Sequence, residues 1–236
     1  MPFSRREFIK TGALTASATL LAGVFETSRA SALSLVGAPD ITHGARNVPQ
    51  VALTFHGAGS PALVERLLRI FKETSTPITV FAIGSWLKGY PQVAKEMLDA
   101  GYEIGNHTMN HYQMKTLSAQ VANREIAECA LELKKLTGTH GKWFRPSGTQ
   151  RSTAIIRKAA AKNGYKQCIS YDVDSHDYQD VGKKVILRDI SAGIKNGSIV
   201  SMHFGHQDTI DAMPALLENL HTRGLKPVTL TTLLGA

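Results

Sequence analysis

Residues 51–60 read VALTFHGAGS, from Val51 to Ser60. Val51 to Phe55 are apolar or β-branched, and Gly57 and Gly59 follow at once. A short apolar run that stops at glycines reads as a buried strand running into a tight turn. His56 stands at the junction. In a parallel α/β protein that junction is the carboxyl edge of the sheet, where ligands and catalytic groups gather.

Outward from this stretch, strands and helices alternate. Strand-like runs cover 51–56, 78–83, 102–105, 142–144, 166–170, 198–203 and 226–229, and helix-period stretches cover 61–73, 91–100, 118–137, 152–163, 183–194 and 209–223. Pro61 and Pro91 mark helix first turns, while Gly101, Gly138, Gly164 and Gly224 follow helix ends. The alternation predicts one parallel α/β domain, either a barrel or an open sheet. No internal repeat or low-complexity segment interrupts it.

The residues able to do chemistry fall after the strands. GNHTMNHYQM places His107 and His111 four apart. On a helical turn such residues share a face, so both imidazoles reach one cation, though spacing alone equally fits surface or capping histidines. KWFRPSG sets Arg145 beside Pro146, and SYDVDSHDYQD offers carboxylates to hold that guanidinium. SIVSMHFGH puts His203 at the end of a buried strand. Groups from several strand ends meeting on one face make a barrel active site.

Two other readings of the opening stretch fail. Gly57, Gly59 and Ala62 satisfy a dinucleotide-binding pattern, but the next strand ends at Ile83-Gly84 without the carboxylate that a ribose requires. His56-Gly57-Ala58-Gly59 looks like a lipase oxyanion loop, yet no G-x-S-x-G follows. The two cysteines, Cys129 and Cys168, are too few for a disulfide scaffold. Two buried thiols are expected, with a single disulfide between them left open.

Taken together, the motifs resemble the polysaccharide deacetylase family, carbohydrate esterase family 4, from Val51 to Leu234. TPITVFAIGSWL, MLDAGYEIGNHTMNH, FRPSG, DVDSHDY, GSIVSMHFG and LENLHTRGLKPVTLTTLL occur in the family's order. The resemblance implies a distorted (β/α) barrel and metal-dependent removal of N- or O-acetyl groups from chitin-like glycans, peptidoglycan or xylan. It implies that His107 and His111 hold a divalent metal, with zinc expected, and that His203 is the general acid. Arg145 would orient the catalytic carboxylate, Asp177 would hold Arg145, and Met202, Tyr178 and Pro146 would line the pocket for the acetyl methyl.

The first motif departs from the pattern. Where the family has Thr-Phe-Asp-Asp-Gly, this chain has Thr54-Phe55-His56-Gly57-Ala58. The first Asp is the family's general base and the second a metal ligand. Three readings follow. His56 completes a three-histidine site with His107 and His111, a donor set that suits Zn²⁺. Alternatively it is a neutral base, and His206, Asp208 or His176 assists the metal. In the third reading the chain is an inactive relative that binds glycan. A hydrolase is the preferred expectation, because the motifs carrying His107 and His111, Arg145, Asp177 and His203 keep their chemical residues.

Residues 1–32 are expected to be a twin-arginine signal peptide. Ser4-Arg5-Arg6-Glu7-Phe8-Ile9-Lys10 precedes an apolar run, Thr11 to Val24, and Ala30-Ser31-Ala32 is a small-residue cleavage site. The run is too short to span a bilayer. Residues 33–49 read as a linker and 50–236 as the catalytic domain, a monomer, exported to the periplasm, envelope or medium without a transmembrane segment. The net charge of +8 contains no run of more than two basic residues, which argues against a nucleic-acid partner and suits an anionic cell envelope.

Overall fold

The computed structural model describes residues 37–236. The expected signal peptide and residues 33–36 of the linker lie outside the described residues. Among the described residues eight strands occur in chain order: β1 (Asp40–Ile41), β2 (Gln50–Gly57), β3 (Thr79–Ala82), β4 (Glu103–Asn106), β5 (Cys168–Ile169), β6 (Val173–Asp174), β7 (Ile199–His203) and β8 (Lys226–Pro227). The helices are α1 (Pro61–Glu73), α2 (Gly84–Gly89), α3 (Pro91–Asp99), α4 (Ala119–Thr137), α5 (Ala154–Lys162), α6 (Lys183–Gly193), α7 (Gln207–Thr222) and α8 (Leu230–Leu234).

All the ladders between these strands are parallel, in the order β4-β3-β2-β7-β6, with β8 joined to the start of β2. Phe144 bridges Asn106 to Cys168 and so carries the circuit from β4 to the β5–β1 pair. An antiparallel bridge between His43 and Ser198 leads back to β7. The result is the distorted (β/α) barrel expected from the sequence.

Strand alternation divides β2 cleanly. Val51, Leu53 and Phe55 pack outward into the main core with Val64, Leu67 and Phe71, the apolar stripe of α1. Ala52 turns inward to a second cluster with Phe81, Trp143, Ile199, Leu230 and Leu233, so α8 packs into the barrel interior. Thr54 and His56 continue along the inward face toward the carboxyl edge. α4 is delimited as its sequence suggests, by Ser118 accepting from the Val121 amide and by Gly138 at φ +80°.

Several expectations need correction. The run 142–144 is no strand but a single bridged residue, and 166–170 shortens to two residues. β1, β6, α2 and α8 were not anticipated, being too short for a periodic pattern to register. Cys129 and Cys168 are free thiols buried in separate clusters, each pushed up to about 12 by burial. Among the described residues no helix is long and apolar enough to cross a membrane.

Gly57 is required by the packing of β2 on β3. A Cβ there would lie 2.9 Å from Val80 Cγ1 and 3.0 Å from the Ala82 Cα. Gly57→Ala should therefore lower stability by about 1–3 kcal/mol in urea denaturation, the usual cost of overpacking. An unchanged midpoint would show that the strands part freely.

Candidate active site

Register creates the centre of the site. β2 pairs with β7 so that His56 lies opposite His203, and with β3 so that it lies opposite Phe81. The His56 ring is 4.3 Å from His203 and 4.4 Å from His107, and His111 lies 5.1 Å beyond His107. Four histidines from three strand ends thus meet, as the sequence predicts.

The expected helical turn at 107–111 is instead a loop with Thr108 at φ +69° and His111 at φ +58°. Hydrogen bonds hold this strained backbone. The buried Glu125 carboxylate accepts from the Asn110 amide and side chain, each at 2.8 Å. Asn106 Oδ1 accepts from the Thr108 amide at 2.8 Å, and Ser147 Oγ donates to the Tyr112 carbonyl at 2.7 Å.

Asp177 is fully buried and accepts three hydrogen bonds: from His203 Nδ1 at 2.7 Å, the His203 amide at 2.8 Å and Thr209 Oγ1 at 2.7 Å. Burial disfavours its ionisation, but the bonds from His203 and Thr209 prevail and hold its carboxyl below the ordinary value. The anion fixes the His203 tautomer and turns Nε2 away from itself. Asp177 therefore holds His203 and not Arg145, correcting the role that the resemblance implies.

Arg145 is held differently. Its Nε donates to the Ile169 carbonyl at 3.1 Å and Nη2 to the Ser170 carbonyl at 3.2 Å, while the guanidinium lies 4.2 Å from the Phe81 ring centre. Nη1 is buried without a partner. Burial pulls the group down to about 9, partly offset by Tyr171 and Asp174. A buried cation with a free donor is what remains when no carboxylate stands at position 56.

His107 carries the chemistry of a metal ligand. Nδ1 donates to the Arg145 carbonyl at 2.9 Å, and Nε2 is buried with no partner. A second-shell carbonyl that fixes one nitrogen and leaves the other's lone pair free is the usual arrangement for a ligating histidine. The full three-histidine set is not assembled, however. His56 Nε2 sits 3.4 Å from Ser201 Oγ, and among the described residues no three His, Cys, Asp or Glu side chains converge on a metal position. The proposed helpers are engaged elsewhere: His206 with Asp180, His176 with Asp189, and Asp208 with the Gly182 amide. The donors present thus fit two imidazole ligands and supply no third.

Burial holds His56 well below the ordinary histidine value, reinforced by His107, His203 and Arg145. Burial does the same for His107, with His111 adding to it, and lowers His111 itself. Tyr178, 47% exposed, stands on the rim 5.3 Å from the His203 ring, and Pro146 is buried behind Arg145. Met202 does not line this pocket. Alternation along β7 sends it outward into the main core with Phe55 and Phe204. Sequence reasoning missed Thr209, Ser201, Asn106 and Glu125, which lack any spacing signal and matter only through hydrogen bonds made in the fold.

The sequence model of the polysaccharide deacetylase family matches residues 43–168. A peptidoglycan-N-acetylglucosamine deacetylase of Bacillus cereus is 30% identical, over 78% of this chain and 87% of that protein. The YlxY protein of Bacillus subtilis is 27% identical over 82% of this chain, which spans 60% of YlxY's length. Among solved structures, a CE4 family pseudoenzyme from Bacillus anthracis superposes with a TM-score of 0.76 at 29% identity, covering 82% of this chain and 68% of that one. A mutant of that pseudoenzyme, described as having restored enzymatic activity, gives 0.77 at 30%, covering 82% and 70%.

Neutral histidines make folding depend on pH. His56, His107 and His111 have folded pKa values below their unfolded ones, so the unfolded chain takes up more protons as pH falls through about 6.5. Their contribution is complete above that pH and is lost below it. In chelator, the Tm should fall between about pH 7.5 and 5.5, and His56→Asn should flatten the slope. A level wild-type profile would mean that the histidines protonate freely in the fold.

Proposed function

The chain belongs to the polysaccharide deacetylase family, and we propose that it is a metal-dependent hydrolase removing acetyl groups from an N-acetylated glycan of the cell envelope. The observation that carries this reading is the His203–Asp177 pair beside the free Nε2 of His107. A proton donor held by a buried carboxylate is equipment for chemistry, and glycan binding alone does not need it. The relatives named for peptidoglycan and chitooligosaccharides support an N-acetylglucosamine polymer over xylan.

His107 and His111 would hold a divalent metal, with Zn²⁺ suited to imidazole donors, and the bound metal would polarise the acetyl carbonyl. His56, kept neutral by burial, takes the proton of the attacking water. His203 delivers a proton from Nε2 to the departing amine nitrogen while Asp177 stabilises the charged imidazolium. Arg145 keeps the His107 ring in place through its backbone carbonyl. Tyr178, on the rim 5.3 Å from the His203 ring, would flank the acetyl group. The twin-arginine leader read from residues 1–32 supports export, which would bring the protein to such a substrate.

Two observations favour a second reading, a catalytically impaired glycan-binding protein. No third metal ligand converges among the described residues, and the fold is shared with a pseudoenzyme. Acetate release from chitooligosaccharides and peptidoglycan, with Zn²⁺ or Co²⁺ supplied, separates the two. The deacetylase reading predicts release that falls at least about a hundredfold in His203→Ala, the scale of a lost general acid. If wild type releases no more acetate than His203→Ala yet still retains glycan, the binding reading holds.

A further inference from the structure

The chain contains no Asp or Glu between Glu132 and Asp172, yet that stretch holds nine Lys and Arg residues. Two of them, Arg145 and Arg157, are withdrawn from the surface, fully or in part. Lys134, Lys135, Lys142, Lys162 and Lys166 are all exposed. All five stand at or near element ends on the amino side of the parallel sheet. Lys134 and Lys135 occupy the last turn of α4, Lys142 follows two residues before the bridged Phe144, Lys162 ends α5, and Lys166 precedes β5 by two residues. The loop carrying Lys142 packs against the turn carrying Lys166: the His140 and Tyr165 rings lie 5.3 Å apart, and Tyr165 Oη donates to the His140 carbonyl at 2.8 Å.

Along this edge the one ion pair among the described residues joins Lys135 to Glu132 at 3.7 Å. Leu131 stands beside the cations at 67% exposure, the greatest of any large apolar residue described. It shares a helix face with Lys134 and Lys135, three and four residues on. A cluster of lysines around a protruding aliphatic side chain suits a bilayer interface: ammonium groups meet anionic headgroups while the leucine enters the acyl boundary. A soluble polyanion would satisfy the lysines but has no use for the leucine.

We propose that this edge docks the protein on an anionic lipid surface. Lys142 and Lys166 lie at the amino ends of their strands, whereas the histidines gather at the carboxyl ends. Docking therefore turns the histidine cleft away from the lipid. The attachment uses the lysines and Leu131 and no residue of the histidine cleft, so it stands or fails independently of catalysis.

Co-sedimentation of the full chain with phosphatidylglycerol-containing and pure phosphatidylcholine vesicles tests it. Comparing variants in the same full chain cancels any contribution from the leader. The wild type should favour the anionic vesicles, and the preference should fade with added salt. Each lysine changed among Lys134→Glu, Lys135→Glu, Lys162→Glu and Lys166→Glu should weaken anionic binding by about fivefold or more, with Tm unchanged. Leu131→Ser should weaken vesicle binding while leaving binding to long-chain polyphosphate as it was. An anionic preference undiminished in the fourfold lysine variant, or missing from the wild type, overturns the proposal. Vesicle binding left unchanged in Leu131→Ser would assign the edge to a soluble anionic polymer, which also overturns it.

Discussion

The parallel pairing of β2 with β7, which sets His56 opposite His203, is the constraint on which the rest of the site depends. It brings two imidazoles within 4.3 Å and makes the strand end a place where charge is costly. The site answers that cost unevenly. His203 receives a buried carboxylate, Asp177, locked by Thr209 and by the His203 amide. His56 receives none and is held neutral. The two histidines are alike in strand position and opposite in electrostatics, and in the proposed mechanism that difference separates proton donor from proton acceptor.

Arg145 records the other side of the substitution. Its guanidinium is buried, two of its nitrogens reach backbone carbonyls, and Nη1 reaches nothing. Such a group is stable only because Phe81, Tyr171 and the two carbonyls share its charge. Gly57 limits how the site can change. Its Cβ direction leads into Val80 and Ala82, away from the histidines. A carboxylate at 57 would need β2 to move, whereas position 56 already faces the site. The lost pair of acidic residues is therefore not two equal losses in this backbone.

Much of this was legible in the sequence because it rests on periodicity and punctuation. The apolar stripe of α1, the Ser118 and Gly138 boundaries of α4 and the buried run of β2 are local signals, and the fold class followed from their alternation. The four histidines and Arg145 were found because each stands at or just past the end of a strand-like run. What could not be read was which groups touch. Asp177 and Arg145 seemed natural partners by charge, yet the loop after β6 delivers Asp177 to His203. Met202 lies next to His203 in sequence and on the opposite side of the strand in space. The turn at Thr108 and His111 depends on Glu125, fourteen residues beyond His111, whose buried carboxylate has no counterpart in any local pattern.

The central claim is that position 56 is where the attacking water loses its proton, and that Arg145 stands ready to hold a carboxylate there. The direct measurement is the kcat/KM of acetate release by the single variant His56→Asp, with Gly57 untouched and the metal supplied. A carboxylate paired with the free Nη1 should raise kcat/KM by at least about tenfold over wild type. If His56→Asp instead falls to the level of His56→Ala, position 56 is not the seat of the base and the account is wrong.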